Sequence, residues 1–408
     1  MRWRPSRRDG APRLVQVIRG GGPLLAGAAV VPLEVPRPVP VAGFARLHWM
    51  EEGRRDPVAV RALVLREGKV SLALVSAEIL LVPGTLQAAV EKRVRDLGLA
   101  HVVLAATHTH AGPGAYWDDP LGERLATGPY DPAVFELLAD RIATAVRQAA
   151  AAVEPAYLSV GRGEEQALAR NRAAGQVDGR LVSVRLVARS GKPVAEVAMY
   201  PAHATMLSIQ NRLLSGDWPG ALMRSSSTPV LFFQGALGDQ SVRVPPGIRD
   251  TPEAYARAVR ARLDALDQSL PDPWPELALA TSTAVLPPPL PGATPPLLRR
   301  ITMNVLYNWL PPRARLTVVR LGPLLLVTVP GEPVAAVGAR LRVAAGQGAE
   351  VLSLAGEYLG YVETSERMAE AAGETVRTLY GPELAERLVA ATKLAAEALR
   401  EQGRLPLP

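Results

Sequence analysis

The sequence predicts a layered α/β domain of mixed β-sheets flanked by helices. Short apolar runs, typical of buried strands, alternate along the 408-residue chain with longer segments in which apolar residues recur at helical spacing. Apolar residues make up 48% of the chain, which is ample for a sizeable core. No apolar run has the length of a membrane span, so no transmembrane helix is predicted.

Local patterns predict the individual elements. Asp131 is a typical N-cap with Pro132 at the first helical position, and the turn signal at 190–193 predicts a hairpin between strands over 181–186 and 194–200. The other predicted strands cover 24–31, 58–66, 70–82, 101–107, 229–235 and 316–329, the last split at Gly322-Pro323. Further predicted helices cover 86–97, 252–268 and 382–400. The proline-rich stretch 286–298 is expected to be a loop that frames the site.

Two domain assignments follow from these patterns. Residues 1–22 form a basic segment that is expected to be poorly ordered, and residues 23–408 form one catalytic domain. The arginines near the start mimic a leader, but glycines and Arg19 interrupt the apolar stretch that a signal peptide needs. No convincing export signal is therefore predicted, and the composition does not identify the compartment.

Composition excludes several classes of chemistry. The chain has no cysteine, so disulfides, thiolate ligands and a cysteine nucleophile are ruled out. The net charge of +7 is spread over scattered arginines without interleaved aromatic residues, which argues against a nucleic-acid partner. The same charge is compatible with peripheral contact to an anionic membrane surface.

A pair of histidines is the most informative local feature. His108 and His110 follow the apolar run 101–106 and precede Gly112-Pro113-Gly114, which ends the predicted strand. Alternate residues of a strand point to the same side, so both imidazoles are expected to face one spot at its carboxyl end. The chain has only five histidines, and this concentration indicates a metal site.

Other polar residues occur where predicted strands end. Taken singly each is typical of a turn, cap or core residue, but the set together favours a site. Two imidazoles, a carboxylate and a phenolate fit a zinc ion with an open position. The residues are His203, Ser241, Glu332 and the phenols of Tyr358 and Tyr361.

This ordered set resembles the catalytic domain of the neutral/alkaline non-lysosomal ceramidases, zinc-dependent amidases that split ceramide. The similarity begins near Leu24 and includes the block that starts at Asp56. It rests on Thr-His108-Thr-His110-Ala-Gly-Pro-Gly, with Asn-Arg172, Ser215-Gly-Asp-Trp-Pro-Gly, Pro-Gly-Glu332-Pro, Tyr358-Leu-Gly-Tyr361-Val and Leu-Tyr-Gly-Pro382 following in family order.

The resemblance implies a role for each matching residue. The zinc ligands would be His108, His203, Glu332 and Tyr361, with Tyr361 preferred to Tyr358 by its spacing from Tyr-Gly-Pro382. His110 would lie beside the zinc water and the substrate carbonyl, Arg172 would contact the reacting group, and Ser241 matches a serine that is needed for activity.

Three departures from the family pattern concern the substrate more than the metal. Ser241 is followed by Val242-Arg243 in place of Pro-Asn. A tyrosine that the family places beyond the zinc-binding tyrosine falls at Gly373. The longer ceramidases continue into an immunoglobulin-like domain, which is not expected in this chain.

The predicted function is a zinc-dependent amidohydrolase of lipid, including sphingolipid, metabolism. A zinc-activated water would attack the carbonyl of an N-acyl substrate, such as ceramide or a related N-acyl lipid. Apolar loops at 287–298 and 309–312 would floor a lipid channel. One alternative is a serine hydrolase with Ser241 as nucleophile and His110 as base, and another is a non-catalytic lipid- or glycan-binding relative. The sequence does not give the oligomeric state.

Overall fold

The computed structural model describes residues 10–36, 38–44, 49–292 and 310–402. The strands, in chain order, are β1 (Arg13–Arg19), β2 (Leu25–Pro32), β3 (Gly53–Arg54), β4 (Ala59–Glu67), β5 (Val70–Ala77), β6 (His101–Ala106), β7 (Glu154–Glu164), β8 (Ala169–Asn171), β9 (Arg180–Ala188), β10 (Pro193–Met199), β11 (Leu213–Leu214), β12 (Val230–Phe233), β13 (Gln240–Val242), β14 (Leu277–Val285), β15 (Arg313–Leu321), β16 (Leu324–Thr328), β17 (Glu332–Pro333), β18 (Ala349–Leu352) and β19 (Tyr361–Val362). The helices are α1 (Gly84–Arg93), α2 (Pro120–Gly122), α3 (Pro132–Ala151), α4 (Asp217–Arg224), α5 (Pro252–Asp264), α6 (Ala335–Ala345), α7 (Ser365–Ala369) and α8 (Leu384–Gln402).

Two mixed sheets form the centre of the fold. The larger has the order β12-β10-β9-β7-β2-β4-β5-β6, and the smaller has the order β1-β14-β15-β16-β18. Most neighbours are antiparallel, but β5 and β6, β10 and β12, and β16 and β18 run parallel. Helices α1, α3, α4 and α5 cover the outer face of the larger sheet, and α6 and α8 cover that of the smaller. The arrangement is therefore a four-layer helix–sheet–sheet–helix domain.

Strand β4 shows why the sequence supports four layers. Val60, Ala62 and Val64 join the core beneath α3, whereas Leu63 and Leu65 join the core between the two sheets. Alternate residues of a strand point to opposite faces, so an uninterrupted apolar strand is buried on both sides. The apolar runs that predicted buried strands have this origin.

The structure confirms the layered α/β prediction and most of its elements. Asp131 caps α3 by accepting the amide of Ala133 at 2.9 Å, and the predicted hairpin is the antiparallel pair β9–β10. Gly322 has a φ of 56° in the turn between β15 and β16, where a side chain would be strained. Among the described helices, none combines the length and apolar character that crossing a membrane requires.

Other expectations need correction. Residues 1–22 were expected to be poorly ordered, but Arg13–Arg19 forms β1 and pairs with β14. The strand that begins at Leu25 is therefore the second strand of the chain. The strand predicted over 70–82 ends at Ala77, and the helix predicted to reach 268 ends at Asp264. Residues 293–309 lie outside the described residues, so the expected lipid-channel loops are described only over 287–292 and 310–312.

Candidate active site

His108 reaches the site from a turn beyond the end of a strand. Strand β6 ends at Ala106, and His108 has a φ of 66°, a conformation uncommon for residues other than glycine. Its amide donates to the carbonyl of Ile79 at 3.1 Å, and its Nδ1 lies 2.7 Å from the carbonyl oxygen of Leu80. The prediction that strand alternation aligns His108 and His110 is therefore wrong, although the two Nε2 atoms do meet at 3.3 Å.

His203 is held from two sides just after β10. Its amide donates to the carbonyl of Gln240 at 3.1 Å, and its Nδ1 lies 2.8 Å from the same oxygen. The indole of Trp218 donates to the carbonyl of His203 at 3.2 Å. These contacts fix the ring plane and direct Nε2 toward the turn that carries His108.

Glu332 and Tyr361 are brought together by backbone pairing. They are register partners in the parallel pair β17–β19, so their side chains leave the backbone next to each other. The amide of Glu332 donates to the carbonyl of Gly360 at 3.0 Å. A Cβ on Gly331 would lie 2.6 Å from the same carbonyl oxygen, so glycine permits this close approach.

Four predicted ligand atoms converge at this point. Glu332 Oε2 lies 3.3 Å from His108 Nε2 and 3.1 Å from His203 Nε2. The hydroxyl of Tyr361 lies 3.0 Å from His203 Nε2. Both histidines and Glu332 are at most 2% exposed. The structure thus gathers nitrogen and oxygen donors from four distant parts of the chain.

The donor chemistry fits a bound cation. When each Nδ1 donates to a main-chain carbonyl, the neutral rings of His108 and His203 present unprotonated Nε2 atoms. Those two lone pairs then face the Glu332 carboxylate, which has no hydrogen to offer. Buried acceptors that face each other need a proton or a metal ion between them. Two imidazoles, a carboxylate and a phenolate match the ligand preference of zinc.

Burial and neighbouring charges shift the pKa values of the cluster. Burial and the neighbouring Arg172 lower the pKa of His203 to about 4, so its ring is neutral near pH 7. Burial raises the pKa of Glu332, but His108 and His203 outweigh this and hold the pKa well below its usual range. Burial, with the Glu332 carboxylate, raises the pKa of the Tyr361 phenol well above its usual range. A cation that offsets the carboxylate would counter this effect on the phenol.

His110 belongs to the same cluster. One ring nitrogen each from His108, His110 and His203 form a group in which all three atoms lie within 4.8 Å of one another. Burial, followed by the two neighbouring histidines, lowers its pKa well below the usual range. The Nδ1 atom is buried and has no hydrogen-bond partner among the described residues. The ring packs against Phe44 with centroids 4.8 Å apart.

Arg172 lies at the open side of the cluster. Its Nη2 donates to the Tyr361 hydroxyl at 2.9 Å and to the carbonyl of Gly238 at 2.8 Å. Its Nε donates to Glu374 Oε1 at 2.7 Å. These bonds aim the guanidinium at the phenol. Arg172 directly follows β8, which pairs with β13.

Part of the chain is similar in sequence to known proteins. The family model described as neutral/alkaline non-lysosomal ceramidase, N-terminal, matches residues 36–225. The neutral ceramidase of Mycobacterium tuberculosis is 29% identical over 202 residues, which is 44% of this chain and 31% of that protein. The neutral ceramidase of Pseudomonas aeruginosa is 27% identical over 162 residues, 35% of this chain and 24% of that protein. Over residues 36–225 the chain is therefore similar to the neutral ceramidases.

Solved structures extend the likeness in fold beyond the sequence matches. The crystal structure of the Pseudomonas aeruginosa neutral ceramidase superposes with a TM-score of 0.79 at 21% identity, covering 95% of this chain and 75% of that one. A structure described as ceramidase complexed with C2 gives a TM-score of 0.80 at 20% identity, covering 93% and 76%. The matched sequence segments span about a third or less of the curated ceramidases named above.

Ser241 lies on the short strand β13. It is half-buried on β13, where it pairs with Arg170 of β8. Among the described residues, its hydroxyl forms no hydrogen bond with His110. The preceding residue, Gln240, supplies the carbonyl that holds His203. The strand therefore links Ser241 to the cluster through the backbone.

Gly373 is required by its surroundings. Its φ is 62°, and a Cβ there would lie 2.3 Å from Glu363 Oε2. That carboxylate is held in place because it accepts the amides of Thr364 at 2.8 Å and Glu374 at 2.9 Å. A tyrosine at this position would meet both backbone strain and a fixed carboxylate. The local backbone is thus built around the glycine.

Sequence reasoning missed two supporting groups and the contact made by a third. Gln234, which is fully buried, donates through Nε2 to the carbonyls of Thr107 at 3.0 Å and Ala202 at 2.9 Å, joining the segments before His108 and His203. A polar residue ending the apolar run 230–233 was the available signal. The others are the ion pair of buried Glu78 with Arg61, and the Tyr358 hydroxyl, which donates to Glu332 Oε1 at 2.7 Å.

Proposed function

We propose that this chain is a zinc-dependent amidohydrolase that cleaves an N-acyl amide bond, with ceramide or a related N-acyl lipid as substrate. The observation that supports it most strongly is the convergence of His108, His203, Glu332 and Tyr361 in a relative of the neutral ceramidases. Hydrolysis adds water across the amide: oxygen bonds to the acyl carbon, the C–N bond breaks, and the nitrogen leaves with a proton.

The four converging side chains would hold the metal. His108 and His203 would bind through Nε2, Glu332 through Oε2, and Tyr361 through its oxygen. When bound, zinc lowers the pKa of a water molecule and polarises a carbonyl. The carbonyls of Leu80 and Gln240 keep each Nδ1 protonated, so both Nε2 lone pairs stay directed at the ion.

His110 and Arg172 would act on the substrate. The neutral ring of His110 lies beside His108 and can accept a proton from water and return it to the leaving nitrogen. The guanidinium of Arg172 lies against Tyr361 and can stabilise negative charge on the carbonyl oxygen. Ser241 would position the substrate from β13.

Metal content and activity test the proposal together. We expect purified protein to contain zinc, to hydrolyse N-lauroyl amides, and to lose activity on chelation. His108→Ala and Glu332→Ala should lose both metal and activity. His101→Ala is the matched control, because His101 lies at the other end of the same strand, beside a cavity of about 220 Å³.

Two results would contradict the proposal. One is zinc-free protein whose hydrolysis is insensitive to chelators. The other is full hydrolysis by His108→Ala and Glu332→Ala together with its loss in Ser241→Ala, which would assign the reaction to the serine. A protein that binds zinc and N-acyl lipid but hydrolyses no amide would instead be a binding relative.

A further inference from the structure

A second arginine lies beside the Tyr361 ring. The guanidinium carbon of Arg377 is 5.9 Å from the ring centre, compared with 5.6 Å for Arg172. Arg377 follows Gly373 by four positions and sits next to β19, because Thr378 forms an antiparallel bridge with Gly360. Two positive charges therefore lie close to the Tyr361 ring.

One carboxylate serves both arginines. Glu374 accepts from Arg172 Nε through Oε1 and from Arg377 Nη1 through Oε2. The Glu374 side chain is 2% exposed, whereas that of Arg377 is 53% exposed. The two guanidinium groups thus share one buried carboxylate beside the Tyr361 ring.

Arg377 has donors to spare. A guanidinium carries five N–H donors, and in the part of the chain described here Glu374 is the one hydrogen-bond partner of the Arg377 side chain. Arg172 differs, since its bonds to Glu374, Gly238 and Tyr361 occupy its inward-facing nitrogens. Arg377 is therefore an exposed cation beside the site that still has N–H donors available among the described residues.

We infer that the substrate carries an anionic group close to its amide bond and that Arg377 binds this group. A guanidinium favours a carboxylate or phosphate, which it can bind through two hydrogen bonds. Among the N-acyl lipids proposed above, this favours an N-acyl amino acid or an N-acylated phosphoamine over ceramide, which is neutral. This inference rests on the proposed amidase activity, and it makes Arg377 a specificity-determining residue.

Three substrates of equal acyl length distinguish recognition of a carboxylate, a phosphate and a neutral group. N-lauroylglycine carries a carboxylate, N-lauroyl-O-phosphoethanolamine carries a phosphate, and N-lauroylethanolamine is neutral. We expect wild-type kcat/KM to be about tenfold higher for an anionic substrate at low salt, and this preference to shrink as salt rises. The larger of the two anionic preferences identifies the carboxylate or the phosphate as the natural group.

Arg377→Gln is the decisive variant. It should lower kcat/KM for the preferred anionic substrate about tenfold, mainly through KM, and leave the neutral amide within about twofold. Arg147→Gln is the matched control. Arg147 lies on α3, is 44% exposed and is paired with Asp96, so this variant should leave kcat/KM unchanged for both the anionic and the neutral substrate. Equal wild-type rates for all three amides, or an equal loss for all three in Arg377→Gln, would overturn the inference while leaving the amidase intact.

A binding measurement decides the case in which no amide is hydrolysed. That outcome contradicts the proposed activity, but calorimetric titration with N-lauroylglycine and N-lauroyl-O-phosphoethanolamine still tests Arg377. Weaker binding of either ligand by Arg377→Gln than by wild type and Arg147→Gln supports the anion site. Equal binding of both ligands by all three proteins overturns it.

Discussion

Tyr358 and Glu332 are joined by a hydrogen bond in which the phenol hydroxyl donates to Oε1 at 2.7 Å. The other carboxylate oxygen, Oε2, is thereby left facing His108 and His203. A phenol that anchors one oxygen of a carboxylate fixes the direction of the second. Tyr358, which the sequence offered as an alternative ligand, thus contacts the cluster through Glu332.

Tyr358→Phe should weaken zinc binding about 10- to 100-fold, because groups that orient metal ligands typically contribute this much. Competition with a chelating dye measures the affinity. Tyr157→Phe on β7 is the control and should bind zinc like wild type. Unchanged affinity in Tyr358→Phe would show that packing alone orients Glu332.

Gln234→Leu should destabilise the fold by about 3 kcal/mol, since it strips buried carbonyls of Thr107 and Ala202 of their donor. Urea unfolding measures this loss, and zinc affinity should fall with it because both carbonyls lie beside histidine-bearing turns. Gln148→Leu, at an exposed position of α3, is the control. A stability equal to that of wild type would show that this amide is dispensable.

Stability should fall between pH 6.5 and pH 4 partly because of His101. Burial lowers its pKa to about 4, so on acidification the unfolded chain binds a proton before the folded one does. The loss amounts to about 3 kcal/mol at most. Asp217, whose pKa burial raises to about 6, acts oppositely, since its contribution is lost as pH rises. The free energy of unfolding of His101→Gln should therefore fall less steeply than that of wild type, and parallel curves would contradict the assignment.

Gly373→Ala should cost about 2 kcal/mol more than Gly98→Ala. Both glycines have a φ of 62°, so both substitutions incur the same backbone strain. Only Gly373 has an obstacle, because nothing lies within 4 Å of a Cβ at Gly98. Chemical denaturation measures the difference, and equal costs would show that Glu363 moves aside freely.

The sequence predicted the participants of the site better than their geometry. His108 and His110 were expected to meet through strand alternation, but a left-handed turn after β6 brings them together. Strand ends correctly indicated where His203 and Glu332 emerge, because polar residues after buried strands sit at sheet edges. The layers were predictable for a related reason, since apolar strands such as β4 need cover on both faces.

Long-range partners could not be predicted in this way. Glu374 binds Arg172 across 202 positions of sequence, and no local pattern connects the two. The ion pair of Arg61 with Glu78 depends on the packing of neighbouring strands in the same manner. Such pairs depend on the tertiary structure, and local sequence patterns do not reveal which distant residues meet.

The four converging donors come from both sheets. His108 and His203 follow β6 and β10 of the larger sheet, whereas Glu332 and Tyr361 follow β16 and β18 of the smaller one. An ion held by all four would link the larger sheet to the smaller one. Its removal would free the sheets to separate locally, exposing the segments around the site to proteases well before the molecule as a whole unfolds.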